Sequence, residues 1–310
     1  MQIRILFTFI IVAIFIGCNT VSNKPSETQS EYAEAYYNQA FSILSNTTHN
    51  GLSNALTLEG LEYINKAIAI NANQSKYYRV KGSFYSHRRD YEKALKNFKK
   101  ALQLDPQNSL AYMGQGIVYE NTARFDLAKK KYLKALEDPE LKVTVNFNLG
   151  LLHGKWGKPE KALEYYNKVI LFSPNYKSGY LNRGKVKMGL QQYEEALKDF
   201  NIALSLKPRD KVSLNNRGLT LFYLHRFEEA IADFEKTLSI GSNASFDENF
   251  DTNQYAYNNM ANAYFGLKDI QNACLYWNKA IESGYTYQPE WKEEYNIEDP
   301  LKLIEKHCGK

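Results

Sequence analysis

Glycine recurs every 34 residues through the middle of the chain, at Gly82, Gly116, Gly150, Gly184 and Gly218. Twelve residues after each glycine comes an alanine: Ala94, Ala128, Ala162, Ala196 and Ala230. Four further on is an aromatic, at Phe98, Tyr132, Tyr166, Phe200 and Phe234. Three beyond that sits a small residue, at Ala101, Ala135, Val169, Ala203 and Thr237. Pro106, Pro174 and Pro208 close three of the units, and Pro139 arrives one residue early. A fixed period of this kind constrains the fold more than any other feature. It calls for one supersecondary unit copied and stacked, not for elements wrapped round a single core.

Within each unit, apolar residues fall at helical intervals in two stretches separated by a short polar turn. In the second unit the spacing predicts one helix over 75–88, with Tyr78, Gly82 and Tyr85 on one face. It predicts a second over 91–104, with Ala94, Leu95, Phe98, Ala101 and Leu102 on one face. Gly82 and Ala94 are small where a buried stripe would carry large residues, so two antiparallel helices can approach closely there. The aromatics beside them fill the space between neighbouring hairpins. Asp105-Pro106 stops the second helix, because proline cannot continue it and disfavours helix in the residue before it.

This order of aromatic, Gly/Ala, aromatic, Ala, aromatic, Ala and Pro resembles the tetratricopeptide repeat, a helix hairpin of the same length. Seven units can be drawn: 33–74, 75–108, 109–142, 143–176, 177–210, 211–244 and 254–287. The first carries an insertion around 46–53. The last has Ala261, Tyr264, Ala273, Trp277 and Ala280 in the expected slots and is set apart by the extra segment 245–253. The resemblance implies an all-α, right-handed superhelical solenoid over 33–287, with the first helix of each hairpin lining a concave groove. Such a chain has no single core, and its stability is roughly a sum over interfaces between neighbours.

The first residues read as a targeting segment and stand outside the fold. Arg4 is followed by an apolar run over 5–16, short of the roughly 20 residues a permanent span needs, and then by Gly17-Cys18. A small residue directly before a cysteine resembles the lipobox of bacterial lipoproteins. It implies a signal peptide over 1–17, diacylation of Cys18, and a location in the cell envelope, with the periplasmic face of the outer membrane expected. An uncleaved membrane anchor is the alternative. The stretch 18–32 that follows reads as a polar tether, rich in Ser, Thr, Asn and Gln.

Two further cysteines remain. Cys274 falls on the second helix of the last unit. Cys308 falls at the end of a short helix that Asp299 caps and Pro300 opens. With Leu301, Leu303 and Ile304 as its apolar face, this helix of the 288–310 segment is expected to cover the open end of the last repeat. In an exported protein the pair suggests a Cys274–Cys308 disulfide, and two buried thiols are the alternative.

No constellation points to catalysis. The five histidines occupy different phases of the repeat, and none is paired at metal-ligand spacing. The glycines are explained by the repeat, so there is no phosphate loop. Asp247, Glu248 and Asp251 lack the glycine and terminal glutamate of a calcium loop and read as a solvated loop. The formal net charge of +5, to which Arg4 contributes one, is too small for a nucleic-acid binder, and the run Lys129-Lys130-Lys131 reads as a solvated helix face. No cofactor, metal or small-molecule substrate is expected.

One polar pattern stands apart from the packing. Two residues before the small Gly/Ala slot lies an asparagine in four consecutive units: Asn148, Asn182, Asn216 and Asn259. Asn38 holds the slot in the first unit, while Val80 and Gly114 interrupt the series. By the resemblance, this slot faces the concave groove. A carboxamide offers donors and an acceptor, so a column of them can pair with the backbone of an extended peptide. Phe147 and Leu181 beside it are apolar enough to hold side chains. The alternative is that each asparagine bonds within its own repeat. The reading is a membrane-anchored scaffold or adaptor for a protein or peptide partner. A glycan- or nutrient-binding lipoprotein is the rival, and the near absence of insertions counts against it.

Overall fold

The computed structural model describes residues 25–46, 53–240, 253–287 and 298–309. Cys18, residues 47–52 and residues 245–252 lie outside them. Among the described residues the chain is all-α, a right-handed superhelical solenoid of helix hairpins. The pairs are α1 (Glu27–Asn46) with α2 (Asn54–Ile70), α3 (Ser75–His87) with α4 (Tyr91–Leu104), and α5 (Ser109–Asn121) with α6 (Phe125–Ala135). They continue as α7 (Lys142–Lys155) with α8 (Pro159–Phe172) and α9 (Lys177–Gly189) with α10 (Tyr193–Leu206). The last are α11 (Lys211–Tyr223) with α12 (Phe227–Ser239) and α13 (Asn253–Gly266) with α14 (Ile270–Glu282). Each second helix packs on the first helix of the next hairpin. None of these helices is long and apolar enough to cross a membrane.

Two boundaries differ from the sequence expectation, each for a local reason. α1 begins at Glu27, inside the segment read as a tether, because Ser26 and Gln29 form a reciprocal capping box. Ser26 N donates to Gln29 Oε1 at 3.0 Å, and Gln29 N donates to Ser26 Oγ at 3.2 Å. α6 stops at Ala135, and the early Pro139 opens a one-turn 3₁₀ segment, Pro139–Leu141, before α7.

The periodic glycines have a direct steric cause. A methyl carbon built on Gly82 would lie 2.8 Å from the Phe98 ring. At Gly116, Gly150, Gly184 and Gly218 the same carbon would lie 2.5, 2.6, 2.8 and 2.7 Å from the ring sixteen residues on: Tyr132, Tyr166, Phe200 and Phe234. Each aromatic from a second helix therefore sits on the bare backbone of its partner helix. The ring of Phe98 also reaches the next hairpin, where a methyl on Gly114 would lie 2.5 Å away. One ring thus closes a hairpin and seats the following one.

The turns inside the hairpins repeat as well. Arg89, Ala123, Gly157, Gln191, His225 and Lys268 all have positive φ, between 54° and 69°. Each ends a first helix in the left-handed conformation, and the next amide donates back five residues, as Arg124 N does to Tyr119 O at 2.8 Å. Only one of the six is glycine, so the others carry left-handed strain in return for a closed helix end.

The last hairpin is covered by α15 (Pro300–His307), which Asp299 caps and Pro300 opens. Leu303 and Ile304 join the cluster of Ala261, Ala273 and Trp277, whereas Leu301 points outward and is 57% exposed. Cys274 and Cys308 are joined as a disulfide, with Cα atoms 5.6 Å apart, tying α15 to α14.

Opposite signs are expected for two small substitutions. Gly184→Ala adds a methyl against Phe200; overpacking of about 1–3 kcal/mol outweighs the roughly 1 kcal/mol gained in helix propensity, so the melting temperature falls. Ala123→Gly relieves left-handed strain of about 1–2 kcal/mol, partly offset by unfolded-chain entropy, so it rises. Thermal denaturation followed by circular dichroism reads both. The disulfide closes a loop with a sequence separation of 34. It contributes about 3–4 kcal/mol in the chain-entropy picture. Reduction should therefore expose the end of the solenoid to protease first. Titration of denatured, unreduced protein with a thiol reagent should find neither Cys274 nor Cys308 free; two free thiols there would rule the bridge out.

Candidate partner-binding site

The first helices lie on the inside of the stack. α1 touches α3, α3 touches α5, α9 touches α11 and α11 touches α13, and no two second helices approach as closely. The asparagine slot falls on these inner helices. Asn148 on α7, Asn182 on α9 and Asn216 on α11 are each half-buried, and Asn38 on α1 is exposed. Asn182 Nδ2 donates to Ser178 O at 2.9 Å, and Asn216 Nδ2 donates to Val212 O at 2.7 Å, one turn back in the same helix. Neither carboxamide oxygen accepts a bond from the described residues. The intrarepeat bond and an outward acceptor thus coexist in one side chain.

The rest of the slot is uneven. Phe147 is half-buried, edge-on to Tyr176 at 5.5 Å and tilted against Tyr166 at 5.9 Å, so its ring is held in place beside Asn148. Leu181 does not line a groove: it is 8% exposed and packs with Tyr180, Ala196, Phe200 and Ala203. Asn259 is 6% exposed and likewise offers little surface. The cause is position on the helix: Leu181 packs inward against α10, and Asn259 sits among Ala256, Asn258, Met260 and Ala261, all buried. The two interruptions also have causes. Val80 is sealed in the first hairpin's core, and Gly114 faces the Phe98 ring.

A second periodic constellation was not picked out from the sequence. Arg183 on α9 donates through Nε and Nη2 to both oxygens of Asp199 on α10, at 2.9 and 2.6 Å. Its Nη1 donates to Asn167 on the preceding α8 at 2.7 Å. One repeat on, Arg217 makes the same bonds to Asp233 on α12, at 2.6 and 2.7 Å, and to Asn201 on α10, at 2.8 Å. Lys187 adds a second cation to Asp199 at 2.8 Å. Both carboxylates are about 2% exposed, so a bidentate partner is what makes their burial tolerable. The Asp233 carboxylate in turn holds the Arg217 guanidinium above its ordinary pKa. The signal lay in the sequence: Arg, Asp and Asn each recur at a 34-residue step.

Family models described as tetratricopeptide repeat match residues 75–108, 144–176, 181–245 and 255–283, together just over half of the chain. The chain belongs to the tetratricopeptide repeat family. Comparison with curated proteins returns no match. Among solved structures, the chain is similar to the C-terminal part of a tetratricopeptide repeat protein from Cytophaga hutchinsonii. The identity is 18%, with 86% of this chain and 99% of that one covered and a TM-score of 0.60. A tetratricopeptide repeat protein from Parabacteroides merdae is 18% identical over 86% of this chain and 98% of its own, with a TM-score of 0.57. Pseudomonas aeruginosa pilF is 18% identical over 75% of this chain and 96% of its own, also with a TM-score of 0.57. At these identities the likeness is one of fold.

Tetratricopeptide repeats bind proteins and peptides, and no catalytic family is indicated for this chain. Among the described residues no cluster of three or more His, Cys, Asp or Glu side chains could hold a metal ion. His153, on α7, is a packing residue. It is 3% exposed, stacked on Tyr165 at 5.3 Å and Trp156 at 5.5 Å, with no hydrogen-bond partner on either nitrogen. Burial, and then Lys129, Lys158 and Lys161, push its pKa down. The lysine run expected to be a solvated face is only partly so. Lys130 is exposed, but Lys131 is half-buried over the Tyr112 ring, and burial with Lys130 beside it lowers its pKa.

Proposed function

We propose that this tetratricopeptide repeat protein is a lipid-anchored scaffold of the bacterial cell envelope, attached through Cys18 and binding an extended partner segment along its first helices. The observation that carries the groove is the trio Asn148, Asn182 and Asn216. These recur at one repeat step on the inner helices, half-buried, with carboxamide oxygens that the described residues leave without a donor. A strand-like peptide presents backbone N–H groups in just this one-dimensional fashion, and amide acceptors at regular steps suit it. Phe147, braced by Tyr166 and Tyr176, supplies an apolar contact at one end of the trio. Support for the anchor is the Gly17-Cys18 junction behind a short apolar run, on a chain whose mean hydropathy is −0.51. Several acyl chains on one residue hold a protein to a bilayer where a single chain does not.

The trio is tested by Asn182→Ala combined with Asn216→Ala. Each lost bond contributes about 0.5–1.5 kcal/mol, so capture of crosslinked envelope partners should fall about tenfold or more. Helical circular dichroism and melting temperature should hold, since alanine favours helix over asparagine. Equal capture by the folded variant moves the partner off these helices. For the anchor, a fatty-acid probe fed to cells should label the wild type and leave Cys18→Ser unlabelled; a labelled Ser variant defeats the assignment.

A further inference from the structure

One residue past the asparagine slot, about 100° further round each first helix, lies the position that holds Arg183 in α9 and Arg217 in α11. In α3 the same position holds Lys81. The position that supplies Asp199 and Asp233 holds Asn97 on α4, and the one that supplies Asn167 and Asn201 holds Asn65 on α2. This repeat therefore keeps the cation and the asparagine of the preceding second helix, but has an asparagine in place of the carboxylate. Lys81 has no acidic side chain within ion-pair distance among the described residues, and burial lowers its pKa.

Lys81 lines an open cavity of about 600 Å³ between α3 and α4, with Tyr78, Tyr85, Lys93, Lys96 and Lys100 around it. Lys100 lies over the Tyr78 ring at 5.9 Å, and Lys93 over the Tyr85 ring at 5.5 Å. Lys93 also pairs with Asp90 at the rim, at 2.8 Å; Lys96 and Lys100 make no ion pair with the described residues. Five cations of one hairpin, if Lys99 on the same wall is counted, thus face one crease whose lining residues include no carboxylate. Three repeats further along, the chain shows what such a crease takes when it is satisfied: a carboxylate held by the floor cation, with an asparagine beside it.

We propose that the α3–α4 crease binds an acidic segment of a partner protein, one Asp or Glu carboxylate of which takes the place beside Lys81 that Asp199 and Asp233 hold beside the arginines. The surrounding lysines add long-range attraction, and the tyrosine faces pack against the stems of the segment's side chains. This surface is separate from the asparagine trio, and neither depends on the other.

The test uses the full chain, a fluorescent short polyglutamate peptide as probe, and anisotropy at low ionic strength. Polyglutamine of equal length, inorganic phosphate and a single-stranded oligonucleotide serve as comparisons. The chain should bind polyglutamate and not polyglutamine, with affinity falling as salt rises. Lys81→Met should weaken binding about tenfold, the effect of one charge-assisted hydrogen bond. Asn97→Asp should weaken it at least as much while raising the melting temperature, because it supplies the missing carboxylate from within the fold. Lys130→Met, at an exposed lysine of α6, should leave binding unchanged. Retained binding in both Lys81→Met and Asn97→Asp would overturn the proposal. So would competition by phosphate alone at equal charge, or tighter binding of the oligonucleotide.

Discussion

The contact between an aromatic ring and a bare stretch of helix backbone is what the rest of this protein is built on. Phe98, Tyr132, Tyr166, Phe200 and Phe234 each occupy the space a methyl group would fill on a glycine of the partner helix. That contact brings two helices close enough to share one layer of side chains. The Phe98 ring shows that the same group also sets the next hairpin, through Gly114. Because each unit buries its face only against its neighbours, the geometry is passed along the chain instead of radiating from a centre. The ends then need separate treatment. At the far end, α15 covers Trp277 and is pinned by the Cys274–Cys308 bond.

A regular scaffold frees the positions it does not need. Around α9 and α11, the glycine side is committed to packing, the asparagine slot is half-buried, and the position after it looks toward the two flanking second helices. The chain fills this last position differently along its length. Arg183 and Arg217 are closed by buried carboxylates, and Lys81 is not. In repeats of one backbone geometry, such a difference is a difference of chemistry at a fixed place. The middle repeats are cross-linked by bidentate ion pairs, and the early repeat presents cations to whatever reaches it.

Much of this is legible in the sequence. In the second unit the period located both helices to within a residue: the helix expected over 91–104 is α4, and the one expected over 75–88 ends one residue earlier. Asp299 and Pro300 announced α15, because caps act through their own side chains. The start of α1 lies inside the stretch that reads as a polar tether, although the three-residue spacing of Ser26 and Gln29 is that of a capping box. The left-handed turn residues were invisible. Arg89, Ala123, Gln191, His225 and Lys268 have no chemical mark of positive φ, and the strain is tolerated because the surrounding helices dictate the turn.

Within the candidate site the divide is the same. Sequence spacing determined that asparagines share one phase of the repeat, since a 34-residue step returns each to the same place on its helix. It equally contained the Arg183–Asp199 and Arg217–Asp233 pairs, as three residue types recurring in step. Only the tertiary structure decided which members of a phase are available. Leu181 and Asn259 are covered, Asn182 and Asn216 spend their donors on their own helix, and Lys81 lies in a crease with no carboxylate beside it. The physical reason is that phase is a property of one helix, which a chain specifies locally. Exposure and charge compensation are properties of three helices at once, and those meet only when the hairpins stack.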